Sequence, residues 1–165
     1  MRSTLTRAMT FAAILFTTLN AAGDAKGSLV YKSKTREFNV PVKFAYLVKG
    51  PDSMDPKLII RRLIVSATDL TATIQKCTTM SCADGTGADA MMVDIGAGPR
   101  LNYWLNLGGG LVQYSGTQDP KALTATTDTP ARLAGKLVFD GSAAGGPKVD
   151  LEFDATLLKE FTRAR

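Results

Sequence analysis

The sequence predicts an all-β fold, a single antiparallel β-sandwich or barrel-like domain of about eight strands with one short helix. Three observations carry that prediction. Apolar and polar residues alternate with period 2 in several short segments, as side chains do across a half-buried strand. Turns rich in Gly, Pro and Asp separate those segments. Regular strand–helix alternation is absent, which excludes a doubly wound α/β architecture.

Residues 1–22 stand outside that pattern and read as a secretory signal peptide. Arg2 and Arg7 supply a positive start, Ala8 to Leu19 an apolar stretch, and Ala21, Ala22 and Gly23 small residues for cleavage. Cleavage is expected after Ala22, with Ala25 as the alternative, leaving residues 23–165 as one β-rich domain. No cysteine lies near the cleavage region, so a lipid anchor is not expected, and no Arg-Arg pair precedes the apolar stretch, so the general secretion route is. No later apolar segment approaches the ~18 residues of a membrane span. The expected location is periplasmic or secreted, with no transmembrane segment in the mature chain.

The elements follow in order. Residues 28–33 form a short strand. In residues 38–48, Phe38, Val40, Val42, Phe44, Tyr46 and Val48 share one face. Pro41 lacks an N–H, so this strand lies at an edge or carries a bulge. Gly50 to Lys57 is a loop. Leu58 to Ser66 is nearly all apolar and reads as a strand buried on both faces. Arg61 and Arg62 interrupt it, pointing opposite ways, so at least one needs a carboxylate or the rim. Thr68 or Asp69 caps a short helix through Leu70, Ile74 and Cys77. Further strands are expected near 90–95, 101–107, 111–116, 122–126, 132–139 and 148–155, with a short helical tail over Thr156 to Phe161.

Composition narrows the chemistry. The 165 residues contain no histidine, which excludes Ser-His-Asp and Cys-His nucleophiles, His-ligated metals and a histidine pH switch. No Gly-x-Ser-x-Gly, no Ser-x-x-Lys and no phosphate loop occurs, and no cofactor is implied. Losing Arg2 and Arg7 with the leader takes the basic residues from 20 to 18 against 15 acidic, so net +5 becomes +3. The excess is concentrated in Lys26, Lys32, Lys34, Arg36, Lys43 and Lys49, a basic first hairpin suited to an anionic envelope surface. Nucleic acid is not an expected partner. Cys77 and Cys82 should pair in an oxidising compartment, closing a loop over Thr78 to Ser81 that pins a helix end.

The leading binding candidate is the hairpin Leu101 to Gly116. Asn102, Trp104 and Asn106 share one face of its first strand. If Gly108-Gly109-Gly110 is the whole loop, Leu107 opposes Leu111 and the only tryptophan sits across from Tyr114. Trp104, Tyr114, Asn102 and Asn106 would then form an aromatic and amide platform for a sugar or a protein partner. A second candidate is Asp150, Glu152 and Asp154, which share one strand face and could hold Ca²⁺ or serve as hydrolytic carboxylates. Such a stripe is more simply ion-paired with Lys136 and Lys148. Asp84, Asp89 and Asp94 form a third acidic set whose spacing does not match an EF-hand loop.

The run Phe44-Ala45-Tyr46, Gly50-Pro51-Asp52, Leu133-Ala134-Gly135-Lys136-Leu137 and Gly146-Pro147-Lys148-Val149-Asp150-Leu151-Glu152-Phe153-Asp154-Ala155 resembles uncharacterised exported β-rich proteins of Gram-negative bacteria. That resemblance implies an envelope location and no catalytic residues. Periplasmic lysozyme inhibitors carry Ser-Gly-x-x-Tyr; here Ser115-Gly116 leads to Asp119 instead of the tyrosine. The function expected is a non-enzymatic exported protein that binds an envelope protein or glycan, in an inhibitor or immunity-type role. The alternatives are a carboxylate-based hydrolase, a Ca²⁺-dependent glycan-binding module, and a structural accessory domain recruited by the basic hairpin.

Overall fold

The structure is a computed structural model, and it describes residues 22–84 and 87–165. Ten strands occur: β1 (Gly23–Lys32), β2 (Glu37–Pro41), β3 (Phe44–Pro51), β4 (Ile59–Ser66), β5 (Ala90–Ile95), β6 (Leu101–Leu107), β7 (Val112–Gln118), β8 (Leu123–Thr129), β9 (Arg132–Asp140) and β10 (Lys148–Glu160). Two short helices, α1 (Thr71–Lys76) and α2 (Met80–Asp84), lie between β4 and β5. The strands form one sheet in the order β7-β6-β5-β4-β3-β1-β10-β9-β8, with β2 paired to β1. The pairings are antiparallel except where the end of β10 runs parallel to β3. The β-rich, mostly antiparallel reading holds, but the strands form one open sheet, curled on itself, rather than the two sheets of a sandwich or a closed barrel. Among the described residues the strands number ten rather than about eight, and the helices two rather than one. The expected leader, apart from Ala22, lies outside the described residues, as does the part of the loop after Asp84 at residues 85 and 86.

Pro41 accounts for one added strand. The segment expected as a single strand over 38–48 breaks there into β2 and β3, because Pro41 cannot donate to a ladder. The break shifts the alternation by one residue. Val40 and Val42 enter one apolar cluster, while Tyr46 and Val48 enter the other and Ala45 and Leu47 take their place in the first. The predicted single face is therefore two faces. Gly27 makes the crossing possible: its φ of 123° is open only to glycine, and its carbonyl accepts the Val42 N–H at 3.1 Å.

The tail is a second departure. Thr156 to Glu160 is strand, not helix, and Leu157 registers with Leu47. A register shift between Leu157 and Lys159 turns Leu158 toward the second cluster, and the Phe161 N–H donates to the Lys49 carbonyl at 2.7 Å. Long-range pairing with β3 overrides the weak local preference for helix.

The two clusters occupy the two faces of the sheet. The inner one gathers Leu29, Leu47, Leu63, Met91, Leu105, Leu137, Leu151 and others from nearly every strand. The sheet curls over it, so that Tyr103 of β6 and Phe139 of β9 meet with ring centroids 5.2 Å apart. The outer cluster lies on β3, β4 and β5, where Tyr46, Ile60, Ile64 and Met92 are covered by Ile74, Met80, Ala83, Leu158 and Phe161. Burying each large apolar side chain is worth about 1.5–3 kcal/mol, so the helices are held by packing rather than by their own propensity.

Local bonds then fix the helices in place. The Asp69 carboxylate accepts the Thr71 N–H at 2.8 Å and the Tyr46 hydroxyl at 2.9 Å. Neither Thr68 nor Asp69 is the cap expected from the sequence, however: Leu70 is the N-cap of α1 and makes no side-chain cap bond, while Asp69 braces the turn one residue before it. Burial, supported by Asp69, pushes the Tyr46 phenol up to about 12. The Cys77–Cys82 disulfide ties the end of α1 to α2. The N–H groups of Met80 and Ser81 donate to the carbonyls of Arg163 and Ala164, so the C-terminal tail closes the start of α2. Among the described residues, no helix is long and apolar enough to cross a membrane.

Candidate functional site

Alternation along β4 sends Arg62 to the outer face and Arg61 to the inner one. Arg61 reaches Asp128 of β8 at 2.6 Å. Arg62 is only 3% exposed, so its charge needs partners. It has two. Asp94 stands directly across on β5, and its carboxylate accepts from Nε at 2.6 Å and from Nη2 at 3.0 Å. Asp84, at the end of α2, accepts from Nη1. The guanidinium carbon also lies 4.2 Å from the ring centroid of Trp104, a cation–π contact that fixes the indole. Burial pushes the Asp84 carboxyl up to about 6, against the opposing pull of Arg62.

A groove of about 370 Å³ opens beside this cluster. Register explains its shape. Trp104 pairs with Ser115 and Asn106 with Gln113, and these four side chains stand on the outer face as corners. Leu105 and Tyr114 pair between them with side chains turned inward, so their backbone forms the floor. Ser81 and Asp84 of α2 make the wall. Asn106 is 8% exposed and donates from Nδ2 to the Asp84 carbonyl at 3.1 Å. Its Oδ1 is buried and accepts no hydrogen bond among the described residues. The site thus offers one aromatic wall, neutral hydroxyls and amides, and a carboxylate that shares Arg62 with Asp94.

The expected platform of Trp104 and Tyr114 does not form. The loop runs from Gly108 to Leu111, so Leu107 pairs with Val112 and Trp104 faces Ser115. A shift of one residue moves a side chain to the opposite face. The Tyr114 ring therefore joins the inner core beside Tyr31, at 5.3 Å, and Tyr103, at 6.2 Å. All three loop glycines have positive φ, at 62°, 71° and 89°, a run that only glycine tolerates readily. Asn102 shares the outer face but registers with Asp94 and Thr117, away from the groove lining. Of the sequence-derived residues, Trp104 and Asn106 come together, Tyr114 contributes floor, and Asn102 stands apart.

Sequence reasoning missed Ser81, Asp84, Gln113 and Ser115 as lining and Arg62 as their organiser. The usable signal was a charged residue inside the apolar run of β4, opposite a strand that carries Asp94 next to its end. The acidic set at 84, 89 and 94 is explained by the same contacts. Asp84 and Asp94 converge on Arg62, while Asp89 accepts the Gly108 N–H at 2.6 Å.

Asp150, Glu152 and Asp154 do share the outward side of β10. Glu152 lies 3.3 Å from Lys26, and Arg132 grips Asp154 at 2.8 and 2.5 Å, holding its carboxyl below the usual range. Lys136 registers with Glu152, and Lys148 approaches Asp140 rather than the stripe. Among the described residues, no group of three His, Cys, Asp or Glu is placed to hold a metal ion. Lys32, Lys34 and Arg36 are exposed around the β1–β2 turn, which Ser33 closes by accepting the Arg36 N–H at 3.0 Å. Comparison of the chain with protein-family models, with curated proteins and with solved structures finds no match in any of the three.

Proposed function

We propose that this is an exported, non-enzymatic binding protein of the cell envelope, and that it holds a glycan in the groove framed by Trp104, Asn106, Gln113 and Ser115. One observation carries the reading: an indole fixed from one side by Arg62 borders a chamber whose other corners are neutral hydrogen-bonding groups. The C–H face of a sugar ring suits an indole, and its hydroxyls suit amides and hydroxyls. Arg62 is shared between Asp84 and Asp94, so the cluster carries one net negative charge when Asp84 is ionised, which disfavours an anionic ring. No paired carboxylate or activated nucleophile lines the groove among the described residues, so binding is supported over turnover. The leader sequence and the disulfide support export. Shielding an envelope glycan from a hydrolase would give the inhibitor or immunity-type role.

Trp104 is the chain's only tryptophan, so it reports on its own site. Titration with soluble peptidoglycan disaccharides and neutral oligosaccharides should give a saturable change in tryptophan emission. The Gln113→Ala/Ser115→Ala variant should bind about tenfold more weakly by calorimetry, the loss of one or two net hydrogen bonds. The absence of both an emission change and binding heat for every sugar would remove the reading.

A further inference from the structure

We infer that β7 pairs with β7 of a second copy of this chain, joining two sheets edge to edge about a two-fold axis at Ser115. The inference stands apart from the glycan reading, because it rests on the ends of the sheet. The sheet terminates at β7 on one side and β8 on the other. Exposed strand edges carry unpaired N–H and C=O groups, and monomeric proteins blunt them with charges, prolines and bulges.

The two ends are treated differently here. β8 has a register shift between Ala125 and Thr127, carries Asp128 held by Arg61, and runs into a turn containing Pro130. β7 also runs into a proline turn, at Pro120, but within its span it has neither a register shift nor a charged side chain. Its seven residues, Val-Gln-Tyr-Ser-Gly-Thr-Gln, are uncharged, contain no proline, and pair with β6 without a break. One bare end and one blunted end restrict pairing to a closed dimer rather than a growing filament.

The strand also complements itself. Ser115 is its midpoint, so antiparallel pairing in full register sets Ser115 against its own copy, Gln113 against Thr117, Tyr114 against Gly116 and Val112 against Gln118. No like charges meet. The charges flanking it are Arg100, whose Nε donates to Thr117 Oγ1 at 3.0 Å, and Asp119, one residue past its end. The two Thr117 residues would lie four positions apart along the pair, about 13 Å, where salt screens their arginines. A two-fold axis normal to the sheet keeps the outer faces together, so the two Trp104 grooves would open on the same side.

Sedimentation of the purified protein across a range of concentrations is the test. The expected result is reversible dimerisation with a dissociation constant on the order of 10–100 μM, as a small interface gives. Ser115→Lys sets two ammonium groups against each other at the axis and should yield monomer at all concentrations, while Ser115→Thr should still dimerise. Circular dichroism confirms that each variant is folded. Hydrogen exchange gives an independent readout: amides of Val112 to Gln118 should gain protection as concentration rises. A wild-type monomer throughout, or a Ser115→Lys variant that dimerises like wild type, overturns the inference. Protection of β7 only on adding envelope extract overturns it in favour of a foreign strand.

Discussion

Arg62 and Asp94 face each other on adjacent strands, and the guanidinium binds both oxygens of the carboxylate, at 2.6 and 3.0 Å, in a site where each residue is at most 5% exposed. A two-point bond of this kind fixes orientation as well as charge. Removing one partner strands the other. Arg62→Ala should therefore cost about 3–5 kcal/mol in urea unfolding at pH 7. The Arg62→Met/Asp84→Asn/Asp94→Leu triple variant, which leaves no stranded carboxylate, should recover most of that loss, since a buried ion cluster is often no better than a well-packed apolar one. Both variants should shift tryptophan emission, because Trp104 loses its cation.

Asp84 should make stability depend on pH. Its folded value of about 6 lies above the ordinary 3.8, so the folded protein holds this proton more tightly than the unfolded chain does. The stability it contributes is fully present below pH 3.8 and is lost as pH rises through 6, by about 3 kcal/mol. Asp84→Asn should flatten that slope in urea titrations run between pH 4 and pH 7. An unchanged slope would show that another group is responsible.

The disulfide should matter more for the groove than for the fold. It closes a short loop, worth about 2 kcal/mol in the chain-entropy view. Yet it anchors α2, which supplies Ser81 and Asp84 to the groove wall. Cys77→Ala/Cys82→Ala should lower unfolding stability by about that amount. It should also abolish the sugar-dependent emission change of Trp104 before the protein unfolds.

The start of β1 bears on the expected cleavage site. Gly23 registers with Ala45, Asp24 with Asp154 and Ala25 with Phe153, and the Ala25 N–H donates to Lys43 at 3.0 Å. Cleavage after Ala25 would strip these pairs from the centre of the sheet. On the proposed export, the mature chain should therefore begin at Gly23, which intact mass spectrometry reads directly. A protein beginning at Lys26 with undiminished thermal stability would contradict this.

The local signals were legible where one physical cause dominates. β5 and β6 fall at 90–95 and 101–107, where alternation and flanking turns agree. Leu151 and Phe153 turn inward and Glu152 outward, because period 2 leaves no other choice. The site was legible only in part. Trp104 and Asn106 could be found by face, but their partners on β7 depended on whether Leu111 belonged to the loop, and propensity does not decide that.

The sequence by itself determined an antiparallel β domain, a leader-like start, the pairing of its two cysteines and the absence of histidine chemistry. Each depends on composition or near neighbours. Only the tertiary structure decided the order of the ten strands, the extension of β10 along β3, the inward turn of Tyr114 and the meeting of Arg62, Asp84, Asp94 and Trp104. Those outcomes depend on residues far apart in the chain, where the need to pair a buried charge and to cover an apolar face outweighs any local preference.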